Sequence, residues 1–552
     1  DRSIISVLAC YGKMLHNPFK VGTAFYSLKV KEKGKMREKV FVGMVFATLL
    51  VLTMFASLPT KAAFKGQIKI GIIGPQGLPH WDPAGMKPAA EMAAAEINAA
   101  GGVHLADGDY EIVLAFGNEY AYPTPDPAAA ASEVERLITV EGCEFLIGGF
   151  RTEVTTAMIE KAMDYKTPFI INGAATNELM STTVNKSNPT LYERYKYLFR
   201  VNPVNGTALL YTIAGASQYL IGTKLLPIYG HIMYSNVTQV KVAVVMEDLA
   251  WTQTMYYYLT TPAVYPMFLG PYANVTYKGR IPDGTADCTP WLQGVVNSGA
   301  RLLIHVFSGV TGVPLIMQWR SMNVSALPFG INVMGQLQTH WNTTLGACEY
   351  EAFTNFMGTR TPVIPGVTEV VWDNFVSKTG AWPIYTAFGA YNAMQLLVDG
   401  LEGIGTRNNT QLVAYFENPA YETTAVNGKF KFDSSHDVFC PESGPTWTQG
   451  YVRSMVAQWQ VGRLEVVCPV DKPLYTKKWA IPPWMYALKT DTNYDGKVDI
   501  KDIATAAKAF GTQPGDTRWE KESDVVLDNR IDIKDIASIA KDFGKSVTLP
   551  LP

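Results

Sequence analysis

Cysteine is scarce in this chain, with six in 552 residues. None forms a CxxC pair or stands at metal-ligand spacing from a histidine, which excludes a zinc knuckle and a small disulfide-built scaffold. The histidines His80, His104, His231, His305, His340 and His436 are scattered without an evident base or ligand partner. An excess of positive charge is missing too. The 47 Lys and Arg stand against 49 Asp and Glu, so nucleic acid finds no electrostatic footprint and is excluded as a partner. HExxH, GxSxG and P-loop sequences are absent, and Gly71, Gly74 and Gly77 lack the GxGxxG spacing that brings backbone against a pyrophosphate. No pair of carboxylates is nominated for glycoside hydrolysis. These absences point away from an enzyme and toward a chain that binds.

Long apolar runs are equally few. Met36-Arg-Glu-Lys39 introduces one from Val40 to Leu58, followed by Pro59-Thr-Lys-Ala62. A basic start, an apolar centre and small residues at the end read as a secretory signal over 36–62, and the length of the run leaves an uncleaved membrane anchor open. No Cys follows it, which argues against a lipoprotein. Residues 1–35 leave two readings open, upstream sequence that is not normally translated or an N-terminal extension. Asn-x-Ser/Thr sequons at Asn185, Asn205, Asn236, Asn274, Asn323, Asn342 and Asn408 support export, so the expected location is secreted or at the cell surface. In an oxidising compartment Cys440 with Cys468, and Cys288 with Cys348, are candidate disulfides, whereas Cys143 on an apolar strand reads as a buried thiol.

What the chain does have is apolar content of 47%, ample for two or three packed domains, and a stretch from Phe145 to Asn177 around which the rest is organised. Two apolar runs, Phe145-Leu-Ile-Gly-Gly-Phe-Arg-Thr152 and Pro168-Phe-Ile-Ile-Asn-Gly-Ala-Ala-Thr-Asn177, flank a segment whose Val154, Met158, Ala162 and Met163 recur at helical spacing. The unit reads strand, turn, helix, strand, turn, a βαβ crossover. In a parallel sheet the loops at the carboxyl ends of the strands form the ligand crevice, and a helix N-terminus there favours an anion. The hydroxyls of Thr152 and Thr176 are therefore expected to hold a carboxylate, with small residues such as Ala174 keeping the backbone accessible. The plainer alternative is that both threonines only cap their helices. Arg151 beside them suits a ligand with further negative charge.

These residues, in this order, resemble the solute-binding proteins of branched-chain amino-acid ABC transporters, the type I periplasmic-binding-protein family. Further matches are Ile68-Lys-Ile-Gly-Ile-Ile-Gly-Pro75 with the helix from Gly85 to Gly102, Asp126 to Leu137, and Tyr197-Leu-Phe-Arg-Val-Asn-Pro203. The resemblance covers about 66–470. It implies an α/β fold of two Rossmann-like lobes joined by a hinge, lobe 1 from 64–201 and 353–426, lobe 2 from 202–352 and 427–468. A linker at 469–488 follows, rich in Pro, Lys and Trp. The chain is expected to cross between lobes at Tyr197 to Val201 and to recross near Glu351 to Gly358. A last strand is expected at Val452 to Trp459.

By the same resemblance Trp81 in the first Gly- and Pro-rich loop, Trp251, Ser308 and Gln336 line the ligand, an amino acid or related small carboxylate that the protein delivers to an ABC permease. One departure bears on the ligand class. Relatives that bind amino acids place an acidic residue opposite the ammonium, and here Met334-Gly-Gln-Leu-Gln338 supplies none. Either Glu247 or Asp248 substitutes, or the ligand has no α-ammonium.

The C-terminal segment 489–546 carries a different signature. Asp491, Asn493, Asp495, Asp499 and Asp502 stand at positions 1, 3, 5, 9 and 12 of a loop with Gly496 at its turn and Lys497 at position 7, the oxygen-rich arrangement of an EF-hand. At an offset of 33 the pattern returns with Asp524, Asp528, Arg530, Asp532 and Asp535, although Val526 removes the third ligand and Asn529 replaces the glycine. Paired loops of this kind resemble the dockerin module, a small all-α unit, and imply calcium as cofactor and a cohesin-like or surface-layer partner. They also keep a second reading in view, a ligand sensor or scaffold component held at a surface.

Overall fold

The structure, a computed structural model, describes residues 64–79, 81–122, 124–228, 238–355, 360–440, 450–452, 454–468, 477–485, 488–493, 496–526 and 528–546. The expected signal or anchor, residues 1–35, half of the expected linker and Asp495 lie outside them. Among the described residues no helix is long and apolar enough to cross a membrane.

Strand-length apolar runs dictate two parallel sheets. The strands β1 (Gly66–Gly74), β2 (Val103–Leu105), β3 (Gly108–Asn118), β4 (Phe145–Gly148), β5 (Phe169–Ile171) and β6 (Leu198–Arg200) form the first, in the order β2-β3-β1-β4-β5-β6. All pair in parallel except β2. Helices Met86–Ala99 and Tyr385–Ile404 pack against each other over this sheet, and Pro127–Thr139 packs against Thr152–Asp164. A strand covered on both faces has no solvent side to spare for polar residues, which is why β4 and β5 are buried along their whole length.

The second lobe repeats the scheme. Its strands β7 (Val240–Glu247), β8 (Ala273–Ile281), β9 (Leu302–Phe307), β10 (Leu327–Asn332) and β11 (Ala352–Asn355) run in parallel. A hairpin of β12 (Thr423–Ala425) and β13 (Gly428–Phe430) stands apart. The antiparallel pair β14 (Met455–Gln460) and β15 (Arg463–Cys468) then completes the second sheet as β15-β14-β11-β10-β9-β7-β8.

Several expectations need correcting. Leu198–Arg200 is the last strand of the first sheet, so the crossing follows it rather than coinciding with it. Asn202 marks the place, its Nδ2 donating to the carbonyls of Asn172 (2.6 Å) and Tyr385 (3.2 Å). Ala352–Asn355 belongs to the second sheet, so lobe 2 runs past the expected boundary at 352. The last strand is a hairpin of two, closed by Val461 and Gly462 at positive φ, the geometry of a tight two-residue turn.

Residues 477–485 do not hang free as a linker. Gln460 and Gln458 donate to the carbonyls of Lys478 and Ala480, and Trp479 is buried edge-on against Phe329 at 5.7 Å. Cys288 and Cys348 are both buried free thiols in separate clusters, so the disulfide considered between them is not formed.

Candidate functional site

The carboxyl ends of β4 and β5 interlock. Gly148, at φ +143°, leaves no room for a side chain, since a Cβ there would lie 1.7 Å from the Ile73 carbonyl oxygen. At Gly173 a Cβ would meet the Gly149 oxygen at 2.6 Å, and that same oxygen accepts from the Ala174 amide at 3.0 Å. Glycine at these two strand ends lets the loops after β4 and β5 touch backbone to backbone. The result places Thr152 Oγ1 2.8 Å from Thr176 Oγ1. Neither hydroxyl caps its helix. The residue before Thr152–Asp164 is Arg151, which makes no side-chain cap bond, and the helical turn after Thr176 begins behind Asn177.

Two buried ionisable side chains hold this arrangement. Glu119, fully buried, accepts from the amides of Phe150 (2.7 Å) and Arg151 (3.3 Å). Burial pushes its carboxyl up to about 8, against the pull of those amides and of the Arg151 charge. Arg200, also fully buried, forms a two-pronged pair with Asp437 (2.9 and 2.5 Å) and donates to the carbonyls of Ala174 and Thr176 at 3.0 Å each. Sequence reasoning missed both residues as supports of the site.

On the second lobe, Trp251 and Ser308 do reach the cleft, but through a shared anchor. Glu247 at the end of β7 accepts from Trp251 Nε1 at 2.7 Å, from the Ser308 hydroxyl and from the Gly309 amide at 3.1 Å. It is fully buried, and burial raises its carboxyl above the ordinary range despite these donors. Asp248 faces outward, 54% exposed, and pairs with Arg280 at 2.7 Å. Gln336 Oε1 accepts from the amide of Tyr385 at 3.3 Å, a bond from lobe 2 to the helix N-terminus of lobe 1. Arg151 also bridges the lobes, with Nη1 3.1 Å from Asp283 Oδ2 and the guanidinium 5.5 Å from the Tyr122 ring centre.

Between the lobes lies a cavity of about 50 Å³. Phe150, Leu209, Trp251, Ile331, Val333 and Tyr385 form its apolar wall, and Arg151, Thr152, Ser308, Gln336 and Thr354 contribute polar groups. Of the expected ligand residues, Arg151, Thr152, Trp251, Ser308 and Gln336 line it. Three do not. Thr176 stands behind Thr152. Ala174 is fully buried with its amide and carbonyl spent on Gly149 and Arg200. Trp81 packs edge-on to Phe150 at 4.8 Å and faces a separate pocket of about 200 Å³ with Gly77, Asp82 and Lys87. Tyr385 and Phe150 could have been found from their aromatic character beside a strand end or helix start. Arg200 and Asp283 left no local signal.

A family model for periplasmic binding proteins matches residues 67–439, well over half of the chain. The chain belongs to the periplasmic binding protein family. Solved structures agree on the fold. A putative branched-chain amino acid ABC transporter protein from Silicibacter pomeroyi matches at 17% identity and a TM-score of 0.59, covering 76% of this chain and all of that one. The branched-chain amino acid transporter substrate binding protein from Streptococcus pneumoniae, in complex with isoleucine, matches at 17% and 0.55, over 73% of this chain and 99% of that one. An ABC transporter solute binding protein from R. palustris, in complex with benzoate, matches at 15% and 0.54, over 73% and 96%. No curated protein matches the chain.

The C-terminal loops lie beyond the part matched to the periplasmic binding protein family. In the first, Asp502 accepts from the amides of Thr492, Asn493 and Asp499, and Asp491 from that of Gly496. In the second, Asp535 accepts from Val526 and Asp532, and Asp524 from Asp528 and Asn529. Asp499 and Asp532 cap the helices Ile500–Lys508 and Ile533–Lys541 in matching capping boxes. The donor chemistry is all oxygen, as a hard cation requires. Among the described residues, however, no three His, Cys, Asp or Glu side chains are disposed to hold a metal ion, and Asp495 at position 5 is not among them.

Proposed function

We propose that the chain is the extracytoplasmic solute-binding component of an ABC transporter, which closes two lobes on a small carboxylate and hands it to a permease. The observation that carries this reading is the small cavity walled by both lobes, with the Thr152 hydroxyl on one side and Trp251 and Gln336 on the other. Closure works because the ligand adds contacts to both lobes at once, biasing an equilibrium that exists without it. No bond needs to break. Family membership supports an extracytoplasmic place and delivery to a permease, and the isoleucine and benzoate complexes of its structural neighbours suggest a carboxylate with an apolar body.

The Thr152–Thr176 pair gives the carboxylate its donor. When Thr176 donates within the pair, Thr152 keeps its hydrogen to offer into the cavity. Calorimetric titration with small carboxylates tests the reading: Thr152→Ala is expected to weaken binding by ~1–3 kcal/mol, as when a buried anion loses a hydrogen bond. Unchanged affinity in that variant would remove the clamp.

The paired C-terminal loops we read as a calcium-dependent, dockerin-like tether to a cohesin-like or surface-layer partner. The buried Asp491, Asp502, Asp524 and Asp535 support it. Calcium should raise the melting temperature of the full chain and EDTA should reverse the rise, through linkage. A melting curve indifferent to both would sink the metal reading.

A further inference from the structure

We infer that the solute is a carboxylate without an ammonium group, a conclusion that rests on the carboxylate-binding reading above and narrows its class. Among the described residues one cation, Arg151, lines the cavity, and no carboxylate does. Every acidic group close to the cleft is already engaged. Both oxygens of Glu247 serve Trp251, Ser308 and Gly309. Both oxygens of Glu119 serve backbone amides of its own lobe. Asp283 and Glu153 both pair with Arg151, at 3.1 and 3.4 Å, and the exposed Asp248 faces Arg280. Gln336, which lines the cavity from lobe 2, is an amide whose oxygen already accepts from Tyr385.

An ammonium enclosed here would lose its hydration and gain no opposite charge, which is the costly way to bury an ion. Donors, by contrast, are in supply. The threonine pair has one O–H that it does not use internally, and Arg151, held by Glu153 (3.4 Å) and Asp283 (3.1 Å), lines the same cavity. The wall around them is apolar. A cavity of about 150 Å³ accepts benzene, and this one measures about 50 Å³, so a short aliphatic body fits it best.

Matched acids that differ only by the ammonium decide the point. The whole chain is titrated calorimetrically with propionate against alanine and with isovalerate against valine. The expected result is that the plain acid binds at least about tenfold more tightly than its amino acid, ~1.4 kcal/mol. The variant Gln336→Glu, which places a carboxylate in the cavity, should move that ratio at least about tenfold toward the amino acid. An amino acid that binds wild type as tightly as its partner acid overturns the inference and leaves the carboxylate reading intact. No heat from any of the four at millimolar concentration overturns both.

Discussion

Each lobe buries one glutamate behind its half of the cleft, and the two are spent differently. Glu119 in lobe 1 bonds only to backbone amides at the end of β4. It thereby fixes the course of the loop and leaves the Thr152 side chain with no partner beyond Thr176. Glu247 in lobe 2 bonds to the side chains of Trp251 and Ser308, which themselves line the cavity. The first lobe thus leaves the Thr152 hydroxyl facing the cavity, whereas the second commits Trp251 and the Ser308 hydroxyl to its own carboxyl. The difference lies in whether a buried charge is satisfied by main chain or by the site's own side chains.

The largest test of this asymmetry falls on the arginines. Arg200→Met should destabilise the protein by ~3–5 kcal/mol, because it strands Asp437 in the interior and frees two loop carbonyls. Arg280→Met in lobe 2 breaks a pair whose carboxylate is exposed, along with bonds to Thr252 and Leu249, and should cost less, ~1–2 kcal/mol. Denaturant unfolding of both variants checks this, and equal losses would end the distinction.

A second test uses pH. The folded Glu119 value of about 8 lies above its ordinary 4.5, so the native state holds a proton that the unfolded chain releases. Its favourable contribution is complete below pH 4.5 and is lost as pH rises through 8, with a slope of up to ~1.4 kcal/mol per pH unit between. Glu247, raised by burial as well, acts in the same direction. The stability of wild type relative to Glu119→Gln should therefore fall as pH rises through this window. A difference that stays constant from pH 4.5 to 8 would contradict the burial argument.

The smallest effect sharpens the comparison at the point where the lobes meet. Asp283→Asn removes the partly exposed interlobe partner of Arg151 and should speed ligand release several-fold, within ~1 kcal/mol, while stability hardly moves. Stopped-flow release at two salt concentrations would show it. A wild-type rate indifferent to salt would count against the pair as an interlobe contact.

Much of this was legible in the residues themselves, wherever the cause is local. Strands covered on both faces have to be apolar throughout, so β1, β4, β7 and β9 are plain in the sequence. Thr152 and Thr176 stand out because each follows such a run directly. Contacts made across the chain are not legible in this way. Arg200 and Asp437 are 237 positions apart, and nothing near either names the other. At Glu247 the sequence shows a carboxylate at a strand end but not the three donors that saturate it. Trp81 and Ala174 sit one layer behind the cavity, a matter of packing that position in the sequence does not reveal. In the segment after Cys468, Pro and Lys suggest a linker, while Trp479 and Trp484 carry the opposite signal, since aromatic rings of that size are seldom left in water. The hairpin turn at Val461 and Gly462 was also there to be read.

The bond between Thr152 and Thr176 has a consequence for how firmly cargo can be held. On the proposed reading, a solute oxygen gains a hydrogen from Thr152 only while Thr176 donates to Thr152, so one hydroxyl rotation sets whether the cleft offers that donor. The rest of the grip is then governed by how well the apolar body fills the remaining space.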